Sequence, residues 1–133
     1  MTAPSSGSPT KRAVDSTTLT SEIIRTDDLC EVVITAPDAT WLADFVRGLI
    51  TDRLCAGSHH TEQIRSIYPW RGEVHDTSEA RVALRTRTAL VPAIVERTRA
   101  AHPYEVPGVV ALPIIAANPD YAAWIREHTQ APR

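Results

Sequence analysis

Residues 64–73 read Ile64-Arg65-Ser66-Ile67-Tyr68-Pro69-Trp70-Arg71-Gly72-Glu73, and the architecture follows from how they alternate. Side chains on a strand point to opposite faces in turn, so Ile64, Ser66, Tyr68 and Trp70 share one face while Arg65 and Ile67 share the other. The period-two pattern sets in at Gly57. At its far end Gly72 supplies the positive φ that a tight hairpin requires. The return strand runs to about Arg87, with Ala80, Val82, Leu84 and Thr86 on one face and Arg81, Ala83, Arg85 and Arg87 on the other. One face must meet a core and the other solvent or a partner. The arginine row reads most simply as a solvated face, with a subunit contact or an anion site as the other readings.

Segments on either side supply the rest of the layer. Cys30 to Ala36, CEVVITA, is a short β-branched run closed by Pro37, suited to a strand buried on both faces. Asp38 is a natural N-cap for a helix over Ala39–Leu54, where Trp41, Leu42, Phe45, Val46, Leu49 and Ile50 form one apolar stripe. Both aromatic rings fall on that stripe, so they read as core rather than as a cofactor box. After the hairpin, Thr88 is a reasonable N-cap for a second helix carrying Leu90, Val91, Ile94, Val95 and Thr98. Pro92 lies near its first turn, where a missing N–H is tolerated, and His102 stops it because a residue before proline avoids the α region. A fourth strand spans Val106 to Ala117, with Pro107 and Pro113 predicting breaks or an edge position. A last helix, Pro119–His128, presents Tyr121, Trp124 and Ile125 on one side. The order β-α-β-β-α-β plus a C-terminal helix predicts an α+β fold, the ferredoxin-like plait. Helices on one face leave the other sheet face open, and apolar side chains there predict an oligomer.

Bulk properties bound the function. A chain of 133 residues suits one domain. It divides into a flexible Ser/Thr/Pro-rich tail over 1–28, a domain over 29–129 and a short tail over 130–133. Within residues 1–21 Lys11 and Arg12 are the only basic residues, too few for a transit peptide. With 14 basic and 16 acidic residues and a net charge of -2, no clustered cation drives binding to nucleic acid or to an anionic membrane. No apolar run approaches the ~20 residues that span a bilayer. Cys30 and Cys55 match no metal or redox spacing and read as reduced thiols of a cytoplasmic protein.

Several blocks in order carry a family resemblance: Thr35-Ala36-Pro37-Asp38, Asp52-Arg53-Leu54, Ser66-Ile67-Tyr68-Pro69-Trp70-Arg71-Gly72, His102-Pro103-Tyr104-Glu105-Val106-Pro107, and Asn118-Pro119-Asp120-Tyr121 leading to Trp124-Ile125. Together they resemble the CutA divalent-cation-tolerance family, trimeric proteins similar to PII signalling proteins. The resemblance implies a homotrimer with intertwined hairpins and a role in tolerance of copper and other divalent ions. It also implies copper ligands at a late position of the first strand and at two residues before Pro-Tyr. Those positions hold Ile34, Ala101 and His102 here, which leaves His102 as the candidate metal ligand. In place of the family's usual apolar opening, residues 55–63 read CAGSHHTEQ.

The residues themselves weigh the same question. His102 ends a helix, where an imidazole interacts well with the helix dipole, so a structural or interface role stands beside a metal or ligand role. His59 and His60 are strand neighbours that point to opposite faces and cannot converge on one ion. His75 and His128 have no clustered partners and read as surface residues. No nucleophile has a base in a recognisable motif, and GxxxxGK[ST], GxSxG and HExxH are all missing, which predicts a protein that is not an enzyme. Two classes remain: an ion-response protein, or a PII-like scaffold or sensor that binds a small molecule or protein at clefts between subunits. Arg53, Tyr68, Trp70, Tyr104, Glu105, Tyr121 and Trp124 are the cleft or interface candidates.

Overall fold

A computed structural model describes residues 22–131. Its centre is β2 (Leu29–Ala36), an eight-residue strand with both edges paired. On one side lies β4 (Glu73–Arg87) and on the other β5 (Val109–Pro113), while β3 (Gly57–Trp70) forms the outer edge, giving an antiparallel sheet ordered β3-β4-β2-β5. That order is the ferredoxin-like plait expected from the element sequence. Cys30, Val32, Ile34 and Ala36 alternate onto the helix side, where they join Val82 and Leu84 of β4 and residues of both helices in one core.

Helix α1 (Ala39–Thr51) starts where Asp38 accepts a 2.9 Å hydrogen bond from the Trp41 amide, and it buries Leu42, Val46 and Leu49. Trp41 and Phe45 stack at 5.1 Å beside them. The helix ends in a Schellman motif, with the Leu54 amide donating to Leu49 and the Arg53 amide to Ile50. Arg53 occupies the left-handed position at φ 59, where glycine is usual. Its guanidinium donates to the carbonyls of Glu127 at 2.7 Å and Thr129 at 3.3 Å, which offsets the backbone strain.

Helix α2 (Val91–Ala101) follows a 3-10 turn, Thr88–Leu90. Thr88 therefore opens that turn instead of capping the α-helix. Pro92 sits in the first turn, and His102 is extended at φ -67, ψ 139, as its proline neighbour demands. The fourth predicted strand is divided: 106–108 stay outside the sheet, β5 ends at Pro113, and β6 (Ala116–Ala117) pairs instead with β1 (Ile24–Arg25). Residues 22–28, assigned from composition to the tail, thus contain a strand, because Ile24 has an apolar partner surface in Ile114 and Ala117. The rest of that tail, 1–21, lies outside the described residues.

Both the predicted open face and the predicted solvated arginines need correction. Helix α3 (Pro119–Glu127) crosses one end of the face and buries Ala122 and Ile125 on Leu29 and Ala56. Arg126 grips Asp28 through two bonds of 2.7 and 2.8 Å. Arg87 reaches the Arg126 carbonyl at 2.7 Å and the Thr129 hydroxyl at 2.9 Å, and Arg85 pairs with Glu31. Arg87, together with Arg53, closes the C-terminal end of α3, whose last carbonyls lack helical partners. Gln130 is likewise held, its amide donating to Arg53 O at 2.9 Å.

The hairpin turn puts both Arg71 (φ 51) and Gly72 (φ 82) in the left-handed region, which matches the twist of the strands it joins. Between Thr61 and Ile64 the pairing of β3 with β4 shifts by one residue, a β-bulge. Gly57, His59 and Thr61 share the face of Arg85, Ala83 and Arg81 before it, and Ile64, Ser66, Tyr68 and Trp70 share the face of Glu79 and His75 after it.

Replacing Arg53 by alanine removes two hydrogen bonds and keeps a β-carbon at positive φ, whereas glycine removes the bonds alone. Arg53→Gly is expected to be more stable than Arg53→Ala by about 1 kcal/mol in urea denaturation at equal protein concentration. The Arg126 hydrogen bond holds the Asp28 carboxyl below its ordinary range. Its contribution is therefore present above about pH 4 and lost as pH falls through the depressed value. The stability difference between wild type and Asp28→Asn is expected to be under about 1 kcal/mol at pH 7, given the exposure of the pair, and to vanish near about pH 2.

Candidate functional site

The corner after α2 is held by one imidazole. His102 is buried, with Nδ1 accepting from the Tyr104 amide at 3.0 Å and Nε2 lying 2.7 Å from the Thr35 carbonyl. A carbonyl accepts, so the ring is neutral and carries its proton on Nε2. Trp41 packs edge-on at 5.2 Å and Tyr104 lies at 4.9 Å. His102 thus fastens the corner to the end of β2.

With its backbone fixed, Tyr104 reaches across to β4 and donates its hydroxyl to Glu79 Oε2. Burial, then the hydrogen bond to the carboxylate, pushes the phenol well above its usual range. Glu79 is 5% exposed. Further out, Arg71 of the turn lies over the Trp70 ring at 5.4 Å and pairs with Glu105 at 2.8 Å, so the hairpin tip is tied to the same corner. Between tip and corner lies a cleft of about 450 Å³. Tyr68, Trp70, Tyr104 and Glu105 line it, joined by Ser66 and Glu79. Tyr68 is backed by His75, stacked at 5.4 Å, so His75 is more than a bare surface residue.

The other candidates lie elsewhere. Arg53 binds the end of α3, beside the Leu29–Arg87 end of β2, whereas the cleft adjoins the Thr35–Arg81 end. Tyr121 and Trp124 stack at 5.8 Å on α3 and line a separate groove with Gly57, His59 and His60. His128 is exposed, with Nδ1 donating to Trp124 O at 2.9 Å and its ring against Trp124. Sequence reasoning missed Glu79, which lies in the polar run Asp76-Thr77-Ser78-Glu79. Its one signal is strand parity, which sets it on the face of Arg81.

A copper ion finds no fitting donor set among the described residues. Both nitrogens of His102 are committed, Ile34 is sealed in the core and Ala101 has no donor. His59 and His60 point to opposite faces, opposite Ala83 and Val82, and His60 Nε2 lies 3.0 Å from Ser58 Oγ. Burial, Arg47 and His59 hold the His60 imidazole below its ordinary pKa. Cys30 and Cys55 are free and buried, and burial pushes the Cys55 thiol up to about 12. Among the described residues, no three His, Cys, Asp or Glu side chains gather where they could hold an ion.

Residues 30–128 match the family model described as CutA1 divalent ion tolerance protein. The chain belongs to the CutA1 family. Among CutA1 relatives, it is 39% identical over 98 residues to the divalent-cation tolerance protein CutA of Thermus thermophilus, a match covering 74% of this chain and 95% of that protein. It is 37% identical over 98 residues to mouse protein CutA, again 74% of this chain, but it spans only 55% of that longer protein. The crystal structure of CutA1 from Oryza sativa superposes with a TM-score of 0.75 at 31% identity, covering 77% of this chain and 94% of that one. The CutA1 match takes in the cleft, the His102 corner and all of α3, and leaves β1 outside it.

Removing the His102 imidazole leaves the Thr35 carbonyl and Tyr104 amide unpaired and opens a hole beside Trp41. His102→Ala is expected to lose about 2–4 kcal/mol in urea denaturation. A loss below about 0.5 kcal/mol, the level of an ordinary surface change, refutes the clamp.

Proposed function

We propose that this chain serves in tolerance of divalent cations as one subunit of a cytoplasmic homotrimer, without catalysing a reaction, and that it acts through the cleft rather than through an ion held by His102. The CutA1 match across the whole cleft carries this reading. Assembly is supported by apolar side chains left in the open: Ile67 at 61%, Val74 at 77%, Val110 at 56% and Leu112 at 46% exposed. The long edge strand β3 also has one side unpaired within the subunit. Two buried free thiols suit a reducing compartment. Among the described residues, no helix is long and apolar enough to cross a membrane.

The second reading, a PII-like sensor that binds a small molecule, is favoured by the cleft's volume, which lies within the roughly 300–1,000 Å³ typical of ligand sites. The two readings are compatible if the cleft ligand reports on metal stress.

Light scattering of the purified protein at micromolar concentration is expected to give three times the 14.6 kDa chain mass, and a monomer overturns the assembly. Calorimetric titration with copper is expected to show no binding tighter than micromolar. Tight copper binding that His102→Ala abolishes would return the function to the imidazole. Deleting the gene in its host is expected to reduce growth in excess copper or zinc, and unchanged growth sinks the tolerance role.

A further inference from the structure

We propose that the cleft beside Glu79 binds a small organic cation, a protonated amine with an apolar body. The proposal rests on reading the cleft as a ligand site and names the chemistry it selects. Glu79 is 5% exposed, and among the described residues its carboxylate has one hydrogen bond, from Tyr104, on Oε2. No buried side-chain oxygen or nitrogen among the described residues lacks a partner, so the unbonded Oε1 is not sealed in protein and opens on the cleft.

Nor does any cation among the described residues form an ion pair with this carboxylate. Arg71 is taken by Glu105 and Arg85 by Glu31, while Arg81, two residues along β4, forms no ion pair with Glu79. A carboxylate this far from water is costly unless paired, and a ligand ammonium would remove that cost. Three aromatic side chains, Tyr68, Trp70 and Tyr104, line the same space, and ring faces attract organic cations. A bare metal ion is excluded by the same inventory. One carboxylate with neutral hydroxyls falls short of the six or so oxygens that calcium or magnesium takes, and no imidazole or thiolate is free here for copper or zinc.

The test is calorimetric titration of the full-length protein at pH 7 with 2-phenylethylamine and, separately, with its neutral counterpart 2-phenylethanol. The amine is expected to bind saturably and the alcohol at least about tenfold more weakly, the scale of a lost charge-assisted hydrogen bond. Glu79→Gln is expected to weaken the amine by at least about the same factor. Should that variant fail to fold, judged by circular dichroism and light scattering, Tyr68→Ala is expected to weaken the amine while leaving the assembly mass unchanged. Equal binding of amine and alcohol overturns the cation proposal but keeps the cleft as a ligand site. Silence with both, as when a neighbouring subunit's arginine fills the cleft, overturns the two together. Amine binding unaffected by either variant places it elsewhere and also overturns the proposal.

Discussion

Everything in this subunit hangs on the confinement of β2. Its two edges are taken by β4 and β5, and its two faces by different layers: α1 and α2 over Cys30, Val32, Ile34 and Ala36, and α3 over Leu29. A strand paired on both edges, covered along one face and capped at one end of the other is short and largely apolar, as CEVVITA is. Its ends then become the fixed points from which other parts are aimed. The Thr35 carbonyl anchors His102 and so the cleft, while Asp28, just before the strand, anchors Arg126 and so α3.

The division explains why arginine is used so heavily away from any substrate. Arg53, Arg87 and Arg126 secure α3 through carbonyls and a carboxylate, and Arg85 crosses to Glu31 within the sheet. The planar fork of the guanidinium satisfies several acceptors at once, which a lysine ammonium does less well. A row that reads as charge on a water-facing strand is thus largely a set of fasteners.

What the sequence made legible was local. Helix α1 announces itself through Asp38 and its stripe, and the corner at His102 through the prolines beside it, because both signals lie within a few residues of their effects. The cleft was half legible: Tyr68, Trp70, Tyr104 and Glu105 were named, but Glu79 meets Tyr104 across 25 residues of chain, and no pattern near Glu79 reports that contact. Arg53, Tyr121 and Trp124 share one set of cleft or interface candidates with the residues that line the cleft yet lie away from it, because a resemblance gives shared identity without giving position. The arginine row misleads for a related reason, since Arg87 finds its acceptors at Arg126 and Thr129, 39 and 42 residues downstream, and Arg85 finds Glu31, 54 residues upstream.

The bulge between Thr61 and Ile64 makes strand length a matter of odd and even. Pleated chains keep two faces by strict alternation, so one residue more or fewer exchanges them along everything beyond. At the base of β3 odd-numbered residues look toward Arg81 and Arg85, and beyond the bulge even-numbered ones take that outlook. Losing Glu62 or Gln63 would leave Ile64 two residues after Thr61 and still opposite Glu79, so the bulge would disappear while Tyr68 and Trp70 kept their outlook, whereas a further inserted residue would have no such slack. The polar segment CAGSHHTEQ thus carries one residue more than strict pairing needs, and a gap of one here is the change of count that leaves the far half of the hairpin facing as it does.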